Sequence, residues 1–417
     1  MKVALIVDDY PAVSQSFINR LISELAKHDD LQVDILTVNY FDIKKLKILS
    51  INNYELLSNG RIRVQSYSSR NKFSLSFIMT FFRYVKGLII NNERSLSILG
   101  LFNINLKYHV KAAMLRELLK TNQYDIIHAQ FMTIAIYSVL AKSSIPCGQI
   151  LAYGRGSDVS IKSALKPCEV KLLENKCSGV SKYLFVSESL KVMAIGKGIS
   201  SSKCSVVHSG ISIDEFEFNI PRVIDDSCTI KILQVGRLVD KKGILLSIKI
   251  LERFLGKVKF IFTVVGDGPL RAEAYRLCED KKLLEHVIFV GSKSSSECIE
   301  IMKEHDVLLV PSLTGVNGDS EGIPNVAKEA MALGCIVVAS DHSGLKELVQ
   351  HEVSGYVFKE NNLEDFYFAL NYAFSTSSNW ERIAINAREV IENKFCAEKI
   401  GEYLLGNYLN AKKNSKS

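Results

Sequence analysis

Apolar residues along this chain gather into short, nearly unbroken runs separated by segments of helical length. In the first half the runs lie at residues 3–7, 33–38, 125–128, 149–152, 183–186 and 205–208. In the second half they lie at 230–235, 259–265, 287–290, 307–310 and 336–339. They are rich in Val and Ile and mostly lack period-2 alternation, as parallel strands buried on both faces do. Periodic stretches such as 17–26 and 270–281 separate them, which predicts repeated β-α-β units. The alternation runs twice. A polar stretch, 214–228, with Pro221 and the pair Asp225-Asp226, interrupts it near mid-chain.

The fold class this predicts is α/β, with two Rossmann-like domains, each a doubly wound parallel sheet. The N-terminal domain is placed at 1–213, a linker at 214–228 and the C-terminal domain at 229–393. Residues 394–417 read as a helix and charged tail that pack back towards the N-terminal domain. The opening Met1-Lys2-Val3-Ala4-Leu5-Ile6-Val7-Asp8-Asp9 is too short and too soon acidic for a secretory signal, and reads as a first strand.

Length and composition narrow the class. A chain of 417 residues with 47% hydrophobic and 23% charged residues is an ordinary globular protein, which excludes disordered and fibrous classes. No run of about 18 apolar residues occurs; the most apolar stretch, 73–90, is broken by Arg83 and Lys86. The 9 cysteines are scattered singly, without a Cys-x-x-Cys pair, which argues against a disulfide framework or zinc site and fits a reducing cytoplasm. Neither His-Glu-x-x-His nor Asp-x-Asp occurs, so no protein-bound metal is expected. The net charge of +7 is unevenly spread. Between residues 43 and 120, Lys and Arg far outnumber Glu55, Glu93 and Glu117, and Tyr67, Phe73, Phe77, Phe81, Phe82, Tyr84 and Tyr108 are interleaved with them. That segment suits an anionic membrane surface or a pyrophosphate-bearing partner; its bland alternative is a solvated basic face. No nucleic-acid motif accompanies the charge.

Candidate chemistry concentrates in the second half. Val235-Gly236, Val265-Gly266-Asp267-Gly268-Pro269 and Val290-Gly291 each end a run in glycine. In open α/β sheets ligands sit beyond the carboxyl ends of strands, where a missing side chain admits a ligand to the backbone. After Gly236 come Arg237 and Lys242, a planar fork of donors and a point charge that suit a diphosphate and can neutralise a departing nucleotide. In Ser320-Glu321-Gly322-Ile323-Pro324-Asn325-Val326, Pro324 suits the first helical position, which predicts a helix over 324–333 ending at Gly334. Amides near Gly322, Ile323 and Asn325 and the positive end of that helix can hold a phosphate. Glu329 is assigned to a ribose and Glu321 to a hexose.

Taken together, these motifs resemble a retaining glycosyltransferase of family 4. The resemblance rests on Val235-Gly236-Arg237, Gly266-Asp267-Gly268-Pro269, Pro311-Ser312, the Glu-x7-Glu spacing of Glu321 and Glu329, Ala330-Met331-Ala332 and Val337-Val338-Ala339-Ser340. Gly179-Val180-Ser181-Lys182, Val186-Ser187-Glu188-Ser189 and Val207-His208-Ser209-Gly210-Ile211 are similar to the family's inter-domain region. Tyr10-Pro11-Ala12-Val13-Ser14-Gln15-Ser16-Phe17-Ile18 and Arg155-Gly156-Ser157-Asp158 resemble a subgroup making colanic-acid- and amylovoran-type exopolysaccharides. The similarity spans nearly the whole chain outside about 41–119.

This resemblance implies a GT-B-type arrangement, two facing Rossmann-like domains with an interdomain cleft, the C-terminal one taking a UDP- or GDP-sugar and the N-terminal one a saccharide or lipid-linked acceptor. It implies a retaining, metal-independent reaction without cofactor, at the inner face of a cytoplasmic membrane in polysaccharide or lipopolysaccharide biosynthesis. Arg237 and Lys242 would be the catalytic cations, with Glu321 and the backbone from Gly322 to Asn325 on the sugar, Glu329 on the ribose and Lys293 near the base. In the first half, Gln130 follows His128 where many relatives have His-x-His, and Gln15 stands where the subgroup often has Glu. His128 and Gln130 share a strand face; His128 reads either as a residue of the reaction centre or as a satisfied structural histidine. Asp158 reads either as a substrate contact or as a helix cap. A nucleotide-sugar epimerase or hydrolase, and a non-catalytic nucleotide-sugar-binding protein, are the alternative functions.

Overall fold

The structure is a computed structural model, described here for residues 1–10, 16–39, 57, 62–66, 75–90, 104–120, 122–143, 145, 147–176, 179–225 and 227–414. The chain divides into two compact units. The first comprises 1–210 together with 397–417, and the second comprises 211–396.

The first unit is built on a seven-stranded sheet in the order β3-β2-β1-β4-β5-β6-β7. Its strands are β1 (Lys2–Val7), β2 (Gln32–Thr37), β3 (Ile62–Ser66), β4 (Ile126–Ala129), β5 (Gln149–Gly154), β6 (Lys182–Phe185) and β7 (Cys204–Val206). Every pairing is parallel. Strand order reverses between β1 and β4. β1 is buried from Val3 to Val7 and β4 along its whole length, which explains why both read as continuous apolar runs. The helix Ala397–Asn414 returns to this unit, where Leu404 and Tyr408 join its core.

The second unit has a six-stranded parallel sheet ordered β10-β9-β8-β11-β12-β13. These strands are β8 (Ile230–Val235), β9 (Phe260–Val265), β10 (Val287–Gly291), β11 (Val307–Val310), β12 (Ile336–Ser340) and β13 (Tyr356–Phe358). Counted from β8 this is the 3-2-1-4-5-6 order of dinucleotide-binding folds, with the reversal between β8 and β11. Successive side chains feed opposite cores. Ile232, Val307, Leu309 and Val338 enter one cluster; Leu233, Leu308, Val310 and Val337 enter the other. The stretch 214–228, a linker by its polarity, lies in this unit, with Phe216 buried in one cluster and Phe218 and Ile224 against the other. Its polar residues masked that Phe216, Phe218 and Ile224 fasten it.

β3 and β13 were not expected from the apolar pattern. Both are edge strands. β3 reads Ile-Arg-Val-Gln-Ser and β13 has 3 residues, too polar or too short to register as a buried run. No helix among the described residues is long and apolar enough to cross a membrane.

Candidate functional site

A network of four charged side chains in the second unit lies at the point where its strand order reverses. Gly236 follows β8 directly, and the chain then makes a 3-10 turn, Asp240–Lys242, before the helix Ile244–Glu252. That turn is tied down through its backbone. The Gln234 side chain donates to the Lys242 carbonyl at 2.7 Å, and the Leu313 amide, just past β11, donates to the Lys241 carbonyl at 2.9 Å. The Lys242 side chain runs over Gly236, where a Cβ would lie 3.4 Å from its Cε. It ends with Nζ 2.6 Å from Glu321 Oε2, a contact between residues 79 apart in sequence. Lys241 Nζ lies 3.0 Å from Asp319 Oδ2 and 3.8 Å from Glu321 Oε1. Two lysines and two carboxylates thus interlock on adjacent loops. Arg237, on the same loop after β8, is exposed, and its side chain makes no hydrogen bond or ion pair among the described residues.

The glycine rim forms where the strand ends predict it. The Gly236 amide donates to Val265 O at 2.9 Å, and the Gly266 amide donates to Gly291 O at 2.8 Å. Gly266 has φ +133°, and a Cβ there would stand 1.9 Å from the Gly236 carbonyl oxygen. Only glycine lets the end of β9 pass beneath the loop that carries Arg237.

The helix expected over 324–333 spans Asn325–Leu333, with Pro324 at the N-cap rather than inside the first turn, and Gly334 closing it in the left-handed conformation. Gly322 and Ile323 are buried, while Glu321, Asn325 and Glu329 are partly buried. Burial, followed by the Glu329 carboxylate, pushes the Cys298 thiol up to about 11, which sets Glu329 towards the helix Ser295–Lys303. Lys293, ahead of that helix, is exposed and pairs with Glu297 at 3.1 Å.

A group that the sequence left unassigned stands behind Glu321. His342, only 2% exposed, follows β12. Its Nδ1 lies 2.9 Å from Glu360 Oε2, and its Nε2 lies 3.0 Å from Ser320 Oγ and 3.4 Å from the Glu321 amide nitrogen. Isolated histidines carry no ligand spacing, so only the position of His342 just beyond a strand end next to the reversal could have drawn attention to it.

In the first unit the structure corrects three expectations. His128 is fully buried, with Nδ1 2.6 Å from Tyr408 Oη and its ring stacked on Tyr153. Burial, reinforced by the Arg155 charge, pulls its pKa down to about 3. It is a neutral structural histidine without solvent access, so the reading of it as a catalytic residue falls. Gln130 is equally buried; its Oε1 accepts from Arg155 Nη2 at 2.6 Å, which makes it a support for Arg155 rather than a substrate contact. Arg155 in turn lies over the rings of Tyr153 and Phe17. Asp158 accepts from the amides of Met132 (2.8 Å), Arg155 (3.0 Å) and Gly156 (2.9 Å). It caps its own loop and, by way of Met132, the start of the helix Met132–Lys142, not the helix that follows it in sequence. Gln15 and much of the basic stretch 43–120 lie outside the described residues. Within that stretch, the helix Leu75–Ile90 exposes Ile78, Met79 and Phe82 beside Arg83 and Lys86. No cluster of three His, Cys, Asp or Glu side chains able to hold a metal ion occurs among the described residues.

Strand order, strand-end glycines and the loop at the reversal define a doubly wound α/β protein whose second unit carries Arg237, Lys241 and Lys242 beyond a strand end. Residues 217–390, most of that unit, match the model of the family described as Glycosyl transferases group 1. Over 204 residues the chain is 33% identical to the amylovoran biosynthesis glycosyltransferase AmsK of Erwinia amylovora, covering 48% of this chain and 49% of that one. Over 211 residues it is 34% identical to the putative colanic acid biosynthesis glycosyltransferase WcaL of Escherichia coli K12, covering 50% and 51%. The match thus spans about half the length of these curated relatives. Among solved structures, Anabaena Alr3699/HepE in complex with UDP shares the fold with a TM-score of 0.70 and 16% identity, covering 98% of this chain and 100% of that one. Two parallel-sheet α/β domains of the GT-B class are therefore the fold of this chain.

Proposed function

We propose that this protein is a retaining, metal-independent glycosyltransferase that moves a hexose from a UDP- or GDP-sugar to a saccharide or lipid-linked saccharide acceptor during surface polysaccharide synthesis. The main support is the meeting of Lys242 and Glu321 at the strand reversal of a glycosyl transferases group 1 domain. Arg237 and Lys242 grip the donor diphosphate, the helix Asn325–Leu333 presents its positive end to a phosphate, Glu329 holds the ribose and Glu321 the hexose. The acceptor hydroxyl attacks the anomeric carbon on the face from which the diphosphate departs. The bond from that carbon to the phosphate oxygen breaks, and the acceptor proton passes to the departing phosphate. Two cations at that oxygen stabilise the charge that builds there, the kind of term worth several kcal/mol in a water-poor site. No cofactor is required. Relatives named for amylovoran and colanic acid synthesis support a polysaccharide product. The exposed Ile78, Met79, Phe82, Arg83 and Lys86 suit the inner face of an anionic cytoplasmic membrane, where a lipid-linked acceptor would be found.

A thermal-shift screen across UDP-, GDP-, ADP- and TDP-sugars tests the donor site, starting with UDP because the Anabaena structure holds it. Glu329→Ala should abolish the largest shift; an unchanged shift removes the ribose assignment. Donor incubated without acceptor should release nucleotide slowly, whereas rapid release or isomerisation points to a hydrolase or epimerase, and binding without turnover to a binding protein.

A further inference from the structure

We infer that His342, oriented by Glu360, is a positioning residue that holds the Ser320-Glu321 segment so that Glu321 meets the sugar of the donor. This rests on the donor-site reading above and adds to it a support built from the opposite side of the sheet reversal.

For a neutral ring the hydrogen-bond chemistry leaves one arrangement. The Glu360 carboxylate can only accept, so the Nδ1 facing it at 2.9 Å carries the ring proton. In a neutral imidazole Nε2 is then an acceptor, and the groups facing it are the Ser320 hydroxyl at 3.0 Å and the Glu321 amide at 3.4 Å, both able to donate. The opposite tautomer would set an N–H against the amide N–H of Glu321. Glu360 is itself fixed, its amide donating to Asp341 Oδ1 at 2.8 Å. The Ser340 hydroxyl, two residues before His342, donates to the Ser312 carbonyl at 2.7 Å and so joins the end of β12 to the loop after β11. Ser312, Ser320, Ser340 and His342 are all buried. The backbone of Glu321 is thereby held by His342 while its carboxylate is held by Lys242. A sugar-binding carboxylate needs placement to within about half an ångström, which a loop achieves only when its own support is locked. Histidine and glutamate serve here as that support.

A positioning role separates from a general structural one by what is lost. Glu321 is assigned to the sugar, and the diphosphate to Arg237 and Lys242. Replacing His342 should therefore weaken the nucleotide sugar and spare the free nucleotide. Calorimetric titration with UDP and with UDP-glucose, or with the pair that gives the largest thermal shift, reads this directly. His342→Leu should leave the nucleoside diphosphate affinity within about twofold of wild type and weaken the sugar nucleotide about tenfold or more, with kcat falling likewise. His342→Gln, which restores an acceptor oxygen, should recover part of that loss. Equal weakening of both ligands by His342→Leu, or none, overturns the inference while leaving the donor site intact. Absence of nucleotide binding by the wild-type protein overturns the donor site and the inference with it. An independent readout covers a variant that folds poorly. In the unsubstituted protein labelled with nitrogen-15 histidine, the neutral form of the ring assigned to His342 should be the Nδ1–H tautomer, and an Nε2–H tautomer refutes the arrangement.

Discussion

Gly266→Ala is the sharpest test of how the rim of the second sheet is built. The added Cβ would stand 1.9 Å from the Gly236 carbonyl oxygen, a backbone atom that cannot swing aside as a side-chain tip can. The residue also sits at φ +133°, which L-residues avoid. Backbone strain in such a region costs about 1–3 kcal/mol and a forced displacement of packed backbone about 1–3 kcal/mol more, so a loss of about 2–6 kcal/mol is expected. Set against typical stabilities of about 5–15 kcal/mol, that is a large fraction. Gly256→Ala is the control: φ is +72°, and nothing lies within 4 Å of the added Cβ, so strain alone, about 1 kcal/mol, applies. The single tryptophan, Trp380, is fully buried in the second unit, and its indole N–H donates to Ala373 O at 2.9 Å. Its fluorescence during urea denaturation therefore reports on this unit. A Gly266→Ala midpoint no lower than that of Gly256→Ala would refute the close approach on which the rim depends.

Three further outcomes follow from the same structure. Asp158→Ala strips three backbone amides of one carboxylate and should destabilise the first unit by about 2–4 kcal/mol, with Asp158→Asn costing less; calorimetry would read both, and an unchanged transition contradicts the capping role. His128 is held neutral by burial, so below its ordinary value of 6.5 the unfolded chain takes up a proton that the folded protein refuses down to about 3. Its contribution is complete above 6.5 and drains away as pH falls towards 3, by up to about 4 kcal/mol; His128→Gln should flatten the fall of the first unit's melting temperature between pH 6.5 and 4, and a parallel fall contradicts the assignment. Neutralising Arg83 and Lys86 together should move protein from the membrane to the supernatant in fractionated cells, and an unchanged distribution counts against that helix as the contact.

Legibility followed burial. Strand β11 lies where its apolar run predicts it because both faces are covered, leaving no polar residue to break the run. The edge strands β3 and β13 lacked that continuity and went unread. At the site, Lys242 and Glu321 were nameable because the glycine-ended strand and the Pro324 helix start are local signals. Their 2.6 Å contact is a product of the β8–β11 reversal, which no local pattern encodes. His128 stayed open between two readings, and Gln130 was taken for a substrate contact, for the complementary reason. Period-2 alternation shows that two residues share a face but not whether that face is open, and here Tyr408, from the far end of the chain, covers His128. His342 needed partners 18 and 22 residues away, on separate loops, before its role could be seen.

The central claim is that a guanidinium and an ammonium on the loop after β8 hold a nucleotide diphosphate. Calorimetric titration of UDP, or of whichever nucleoside diphosphate the screen selects, into wild type, Arg237→Ala and Lys242→Ala measures it. Charge-assisted hydrogen bonds of this kind contribute about 1.5–3 kcal/mol each, so each substitution should weaken binding by about ten- to a hundredfold. Affinities within twofold of wild type in both variants would contradict the account.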